Sequence, residues 1–240
     1  MYYSPIPEEA PFRDKTKEFT RHLTRAYGLM ALGLVATFLV ALFLVALLTV
    51  RFLPTDLVFS FPLAVILMVA EVVTVIAFSA LLTRASYGAI LGMFFFYAVL
   101  NGVSISYIFL YYDLGKVFLC FAAAAISFAI MALLGHTTKR ELSGLLGFFI
   151  AGLFGILFLT IVGFFLKSNT LEMIIACIGL VLFLGITAVD AQRLRRFYES
   201  TASEDTAMTR KFAVYSALQL YLDFINIFFY LLRIFGRNRR

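Results

Sequence analysis

The chain has 240 residues, of which 62% are hydrophobic and only 14% are charged, and its net charge is +6. Its mean hydropathy is +0.97. Soluble domains usually contain about 25% charged residues, so these values exclude an ordinary soluble enzyme and a disordered chain. They indicate a multi-pass membrane protein, in which the basic balance reflects membrane topology and not nucleic-acid binding.

Seven hydrophobic runs are long enough to cross a bilayer, which requires about 20 mostly apolar residues per helix. They cover approximately residues 27–50, 57–83, 87–112, 115–135, 144–166, 171–190 and 212–235. The connections are short apart from the polar segment 191–211. We therefore predict an all-α fold, with a polar basic segment over residues 1–26 and a single seven-helix transmembrane bundle over residues 27–240.

Lysine and arginine residues are distributed unevenly between the two sides of this predicted bundle. Thirteen lie in the N-terminal segment and in the connections after the second, fourth and sixth runs, whereas three lie in the other loops. Because cytoplasmic loops carry the excess of these residues, we expect a cytoplasmic N-terminus. The four arginines at the end of the chain oppose the pattern and leave the side of the C-terminus open.

The seventh run carries a stripe of polar residues along an otherwise apolar helix. At about 100° per residue the stripe spans an arc of roughly 80°. Its members are Tyr215, Gln219, Asp223, Asn226, Tyr230 and Arg233. A lipid-facing helix does not tolerate such a stripe, so we expect a central helix or one that lines an aqueous path, with Gln219 and Asn226 in the lining. A hydrogen-bonded seam between helices is the alternative.

Two carboxylates flank the polar segment 191–211. Asp190 ends the sixth run and Asp223 lies inside the seventh. They can meet only if the sixth helix ends deep in the membrane or continues through the arginines that follow Asp190. Two carboxylates in one low-dielectric site titrate as a unit, and together they can share a proton or hold a hard cation. A simple ion pair between Asp190 and a nearby arginine is the alternative.

Further polar residues lie inside the second and third runs. Glu71 is near the middle of the second run. The third run has three polar residues on one face, namely Tyr97, Asn101 and Ser104. We expect them to line the same cavity as the aspartates, with an isolated neutral glutamate as the alternative. His22 lies in the polar N-terminal segment and His136 at the end of the fourth run, and both are expected to be solvated.

The motifs of three runs carry a resemblance to a known family. The sixth and seventh runs contain LGITAVDAQRLR and ALQLYLDFINIFFYLLRIFG, and the second reads FPLAVILMVAE. With these motifs the chain resembles the Bax inhibitor-1 family, also called the transmembrane Bax inhibitor motif proteins, over essentially its whole length. Its short loops are most similar to those of bacterial members. The resemblance implies a bacterial inner-membrane protein whose last helix lies between two three-helix layers.

The resemblance also implies a function. Members are described as pH-sensitive calcium leak channels, which implies a protein without a cofactor whose partners are the lipid bilayer and Ca²⁺ or other cations. The family's paired aspartates fall on Asp190 and Asp223, which would bind the ion transiently, and its helix 2 glutamate falls on Glu71. Some members hold the helix 6 aspartate with a helix 2 arginine. Leu82 matches that position here, and Arg84, two residues later and about 200° around the helix, is the candidate latch.

Other function classes leave different marks in a sequence. Intramembrane aspartyl proteases need a GxGD motif and rhomboid-type serine proteases a GxSG motif, and neither occurs here, so we do not expect an enzyme. A non-conducting regulator that binds a membrane protease or another membrane partner is the main alternative. A proton-coupled transporter is a third class, because buried carboxylates also serve proton relays.

Overall fold

A computed structural model describes residues 12–50, 60–201 and 206–236 of the chain. In this part of the chain there is no strand, and the long helices are α1 (Phe12–Thr49), α2 (Phe61–Leu81), α3 (Tyr87–Ser106), α4 (Leu114–Thr137), α5 (Leu146–Leu166), α6 (Asn169–Thr201) and α7 (Ala207–Phe235). All seven contain a segment that is long and apolar enough to cross a membrane. The predicted all-α class with seven transmembrane helices is therefore confirmed.

Three helices extend past the predicted hydrophobic runs at one end of the bundle, called here the N-terminal end. α1 begins at Phe12, α6 continues to Thr201, and α7 begins at Ala207. At 1.5 Å per residue, α1 and α6 measure about 57 Å and 50 Å, against about 30 Å for the hydrocarbon core of a bilayer. The predicted boundary at residue 26 therefore lies inside α1, and helix replaces most of the polar connection predicted over residues 191–211.

Short polar residues cap four helices, α2, α3, α4 and α7; the caps are Ser60, Ser86, Asp113 and Thr206. Each side-chain oxygen accepts a hydrogen bond from the backbone N–H three residues on, at 3.2–3.4 Å. Such caps satisfy donors that the helix itself leaves without a partner. The third run, predicted as one helix, is interrupted: α3 ends at Ser106, and a single turn (Ile108–Tyr111) precedes the cap of α4.

The last helix lies in the centre of the bundle. α7 packs directly against α1, α3, α4 and α6, while α2 packs on α3 and α5 packs on α6. More than half of the most apolar segment of α7 is buried, a larger share than in any other helix of the described chain. The helices α1–α3 form one layer and α4–α6 the other, so the predicted central position of α7 is confirmed.

Glycine allows α4 and α6 to approach each other closely. A Cβ atom added at Gly135 would clash with the backbone oxygen of Ala188 and would lie 3.0 Å from the Cβ of Ala191. Small residues are common where membrane helices pack, because they let the backbones come together. This contact fixes the segment of α6 that carries Asp190.

The outward surface of the bundle is apolar. α2 and α5 are its least buried helices. More than half of the surface of many of their side chains is exposed, including Val69, Val72, Val73 and Ile76 of α2 and Phe154, Leu157, Phe158 and Ile161 of α5. Soluble monomers rarely expose apolar patches of this extent. A bilayer must cover this surface, and the protein is therefore a multi-pass membrane protein.

Candidate functional site

Asp223 is buried in the middle of the bundle and is only 3% exposed. It lies about 24 Å along α7 from the start of that helix at Ala207. Its Oδ2 atom has no hydrogen-bond partner among the described residues. The Thr187 hydroxyl and the Asp190 carboxyl, both on α6, lie close enough to interact with the Asp223 carboxyl. The two aspartates of the sequence prediction therefore lie within electrostatic range of each other.

Asp190 reaches this position because α6 does not end there. The helix continues for a further eleven residues to Thr201, which is one of the two arrangements that the sequence required for the carboxylates to meet. The Asp190 side chain is 9% exposed, and its Oδ1 atom lies 3.8 Å from Nη1 of Arg193, one turn on. Arg193 is 40% exposed, as expected for a cation that extends from a buried carboxylate toward the membrane surface.

Asp190 and Asp223 are also the predicted metal ligands. The described residues contain no group of three or more His, Cys, Asp or Glu side chains placed to hold a metal ion. Carboxylate and hydroxyl oxygens are the donors that hard cations prefer. The local donor set consists of these two carboxyls and the Thr187 hydroxyl, which also donates a hydrogen bond of 2.8 Å to the Phe183 carbonyl oxygen.

The other polar residues of the stripe lie on the less buried face of α7. Tyr215, Gln219, Asn226 and Tyr230 are half-buried, and Arg233 is exposed. At the end of the bundle opposite the N-terminal end, a cavity of about 470 Å³ runs along this face, and its polar lining consists of Tyr107, Tyr112, Thr160, Asn226, Tyr230 and Arg233. The last three members of the stripe therefore line this cavity.

The other half of the stripe leads to the aspartates. Gln219 donates a hydrogen bond from Nε2 to the Tyr215 hydroxyl, 3.1 Å away. The ring of Tyr215 stacks on Phe78 of α2 with centroids 6.4 Å apart, and the same side chain lies within electrostatic range of Asp190. The polar face therefore extends from the cavity past Asp223 to Gln219 and Tyr215, which lie on the N-terminal side of Asp223.

Glu71 belongs to a separate polar centre between α2 and α3. Ser104 donates a hydrogen bond of 2.7 Å to Oε1 of Glu71, and Asn101 also interacts with this carboxyl. The Tyr221 hydroxyl of α7 donates to Oδ1 of Asn101 at 3.1 Å and lies 2.6 Å from the Thr37 hydroxyl of α1. This network connects four helices. Glu71 lines a different cavity from Asn226, one of about 500 Å³ between α2 and α3, so the expected single cavity is corrected to two.

Arg84 lies away from the aspartates. It follows α2 in an exposed position, and it forms no ion pair with a carboxylate of the described residues. Leu82, at the position that matches the family's arginine, packs partly buried against the core. The cation beside Asp190 is Arg193 of the same helix. The latch that the resemblance suggested for Arg84 does not form in this structure.

His22 is buried and His136 is half-buried, and both contact tyrosine side chains, so the prediction that they are solvated is wrong. His22 is 5% exposed and stacks on Tyr198 with ring centroids 4.8 Å apart. Nε2 of His136 lies 2.7 Å from the Tyr27 hydroxyl. The reason is the length of α1 and α6, because these helices continue past the hydrophobic runs and cover the histidines at the N-terminal end.

Thr187 and Tyr221 are the site residues that the sequence analysis missed. Thr187 precedes Asp190 by three residues and therefore lies on the same face of α6, which is the signal that could have identified it. Tyr221 lies in the same motif as Asp223 but on another face of α7. Its role depends on partners in α1 and α3, and nothing in the spacing of the sequence indicates them.

The chain matches the family model described as inhibitor of apoptosis-promoting Bax1 over residues 20–240. The protein belongs to the Bax inhibitor-1 family. The match begins inside α1 and includes the other six helices, so membership rests on the whole bundle and not on the aspartate motifs alone.

Several bacterial proteins are similar to the chain. The inner membrane protein YbhL of Escherichia coli is 40% identical over 173 residues, which cover 72% of this chain and 74% of that protein. A protein of Borreliella burgdorferi is 36% identical over 165 residues, or 69% of this chain and 71% of its own length. A membrane protein of Streptococcus pyogenes is 39% identical over 155 residues, with 65% and 66% of the two chains covered.

Proposed function

We propose that this protein is a cation leak channel whose permeating ion is Ca²⁺ and whose conductance depends on pH through Asp190 and Asp223. The observation that carries the proposal is the position of Asp223. It is almost fully buried on the central helix, one of its oxygens has no partner among the described residues, and a second carboxyl lies in range. Ionisable groups inside a membrane protein usually mark an ion path or a proton relay.

Protonation would act as the gate in this proposal. Two carboxyls in a low-dielectric site do not both ionise easily, and the proton they share belongs to the pair. With one proton bound, a charge-assisted hydrogen bond would draw α6 and α7 together. With both groups ionised, they would repel each other or bind a divalent cation through their oxygens. The leak would therefore vary with pH because protonation changes the position of α6 against α7.

The polar face of α7 supplies the remaining path. Asn226 follows Asp223 by about one turn and lines the cavity at the opposite end together with Tyr230, while Gln219 lies about one turn from Asp223 in the other direction, toward the N-terminal end. Amide and hydroxyl oxygens can replace part of the hydration shell of a cation without the strong binding that a third carboxylate would add. The proposal assigns these residues to conduction and no residue to catalysis.

We also propose that the N-terminal end of the bundle faces the cytoplasm. The bias of lysine and arginine toward that end supports this orientation. The printed name of the YbhL relative supports a bacterial inner membrane as the location. A Ser143→Cys variant, with the substitution in the connection between α4 and α5, tests the orientation. Labelling of this cysteine by a membrane-impermeant reagent in intact cells would refute it.

Calcium flux in proteoliposomes tests the channel. Purified protein is reconstituted with a Ca²⁺-sensitive dye inside the vesicles, and Ca²⁺ entry is followed over a series of pH values. The proposal expects entry that exceeds that of protein-free vesicles and changes with pH. Absence of flux at every pH would refute it. If a membrane protease then co-purified with the protein, the result would favour the non-conducting regulator instead.

A further inference from the structure

A polar pocket at the N-terminal end of the bundle lies outside the proposed ion path. It has a volume of about 250 Å³ and is formed where the connection between α4 and α5 meets α6. This volume corresponds to roughly eight water molecules in the liquid. The lining residues are Thr138, Lys139, Gln192, Arg195, Arg196 and Glu199.

Gln192 fixes the shape of this pocket. It is 3% exposed. Its Oε1 atom accepts a hydrogen bond of 2.8 Å from the Leu142 backbone N–H, and its Nε2 atom donates to the carbonyl oxygens of Thr138 and Arg140 at 3.2 and 2.8 Å. One buried amide therefore ties the connection to α6 at three points, so the pocket is formed in advance of any ligand.

The pocket carries an excess of positive charge. Arg195 pairs with Glu199, and Arg196 pairs with Glu141, each at 2.6 Å. Lys139 is exposed and forms no ion pair with a described carboxylate. A guanidinium has five N–H donors in all. Arg195 uses those at Nε and Nη1, toward Glu199 and the His136 carbonyl oxygen. Donors therefore remain for an anionic oxygen, next to one uncompensated ammonium group.

The surface of α4 below the pocket faces lipid. Ile126, Ile130 and Leu133 lie at helical spacing on one face and are 63%, 54% and 63% exposed. Leu133 lies about 6 Å along the helix from the end of α4 at Thr137, and Lys139 follows two residues later. An apolar ridge thus runs along the outward side of α4 toward the end of the helix where the basic pocket lies.

We propose that this pocket binds the phosphate of an anionic phospholipid whose acyl chains lie along the Ile126–Ile130–Leu133 ridge. The positive charge selects an anionic group, and the ridge selects a lipid over a soluble anion. In the bound state Lys139 supplies the free cation, and the remaining donors of Arg195 and Arg196 bind the phosphate oxygens. The lipid would thereby hold α4 and α6 together. This inference does not depend on ion conduction.

Native mass spectrometry of the delipidated protein tests the site. Protein is incubated with phosphatidylglycerol or phosphatidylcholine of the same acyl chains, and the bound lipid is measured against lipid concentration. We expect one phosphatidylglycerol to bind about tenfold more tightly than phosphatidylcholine, because both lipids carry a phosphodiester but only phosphatidylcholine adds a quaternary ammonium that the basic pocket repels. Equal binding of the two lipids would overturn the proposal.

Two neighbouring substitutions separate a pocket from general surface charge. Lys139→Gln and Arg140→Gln each remove one positive charge from the same connection, but only Lys139 lines the pocket. We expect Lys139→Gln to remove the preference for phosphatidylglycerol, Lys139→Arg to restore it, and Arg140→Gln to leave it within about twofold. An unchanged thermal midpoint in phosphatidylcholine would verify folding. Equal losses in both glutamine variants would refute the pocket and indicate surface attraction only.

Inorganic phosphate distinguishes the two sources of the ligand. If the lipid-free protein binds millimolar phosphate through Lys139 while phosphatidylglycerol shows no preference, the site takes a soluble anion and the lipid assignment is wrong. If phosphatidylglycerol binds and phosphate does not displace it, the acyl chains contribute to binding as proposed.

Discussion

The bundle contains two buried polar centres that differ in how completely they are satisfied. Around Glu71, each carboxyl, amide and hydroxyl group has a partner, and the contacts extend through Asn101 and Tyr221 to Thr37. Around Asp223, one carboxylate oxygen is buried without a partner in the described chain, and the ionisable group that acts on it, Asp190, is another carboxyl. Both centres involve the central helix: the Glu71 centre joins it to the α1–α3 layer, and the Asp223 centre joins it to α6 of the other layer.

This difference indicates different roles. A satisfied polar network rigidifies the helices that it connects, whereas a buried polar group without a partner is costly and needs an explanation. The Glu71 centre joins α1, α2, α3 and α7 into one unit. The Asp223 centre lies at the contact between that unit and α6, where a change in protonation could alter the packing. We therefore interpret the first as structural and the second as responsive.

The largest expected effect follows from removing the titratable group of the responsive centre. Asp223→Asn should flatten the pH dependence of calcium flux, because an amide does not titrate in this range. Asp190→Asn should do the same, and the double variant should add little since the two carboxyls act as one unit. Flux against pH in proteoliposomes measures all three. Wild-type amplitude and pH profile in both single variants would mean that the pair is only structural.

The matched control is Asp113→Asn. Asp113 is an exposed carboxylate that caps α4 at the opposite end of the bundle, and asparagine caps a helix about as well as aspartate. This variant removes the same charge without disturbing the buried pair. It should therefore keep the wild-type pH profile.

The second effect tests the packing beside the responsive centre. Gly135→Ala places a methyl group against the backbone of Ala188, directly after Thr187. Overpacking of this kind usually costs about 1–3 kcal/mol, and α6 should shift relative to α4. Thermal unfolding in detergent should report the loss of stability, and the flux assay should report an altered pH profile.

Gly155→Ala controls for the effect of alanine itself. No atom lies within 4 Å of an added Cβ at Gly155 in α5. Alanine is the better helix former by about 1 kcal/mol, so this variant should be as stable as the wild type or slightly more so. If Gly135→Ala behaved in the same way, α4 and α6 would not be in the close contact described above.

A smaller effect on stability should follow from removing one hydroxyl group of the hydrogen-bonded network around Glu71. Tyr221→Phe removes the hydroxyl that binds both Thr37 and Asn101, and should lower the free energy of unfolding by about 1–2 kcal/mol. The pH profile of flux should stay unchanged, because the carboxyl pair is not touched. Tyr215→Phe is the control, since the Tyr215 hydroxyl is half-buried and only Gln219 donates to it among the described residues. A changed pH profile in Tyr221→Phe would show that the two centres are coupled.

The seven spans and the central helix could be predicted because both follow from local patterns in the sequence. The runs exceed the length of a bilayer crossing, and the stripe from Tyr215 to Arg233 repeats at helical spacing. The ends of α1 and α6 could not be predicted in the same way. These segments leave the membrane and carry mixed charges, so they lack the apolar signal, although they still form helix as far as Phe12 and Thr201.

The partners within the candidate site were predictable only in part. The placement of Asp190 near Asp223 followed from their order around one connection and from the resemblance to a family. The separation of Glu71 from the aspartate pair could not be predicted, because it depends on which face of α3 packs against α7. Likewise, the burial of His22 and His136 depends on the helix extensions at the N-terminal end, and these carry no hydropathy signal.

The smallest expected effect concerns Glu141, an exposed carboxylate with hydrogen-bond and ion-pair partners. Its effect on stability shows what a surface carboxylate contributes, for comparison with the two buried centres. The Ser143 hydroxyl and the Arg196 guanidinium bind its carboxylate and hold the pKa of Glu141 below its ordinary value. The folded state therefore protonates Glu141 less readily than the unfolded state does. The contribution of these contacts to the stability of the fold is fully present above the ordinary glutamate pKa of about 4.3, and it is lost as pH falls through the lowered pKa. The thermal midpoints of wild type and Glu141→Gln should differ slightly at neutral pH and converge in acid. In proteins that also carry Ser143→Ala, the difference between these two midpoints at neutral pH should be smaller. A gap that widened as pH fell would contradict the assigned contacts.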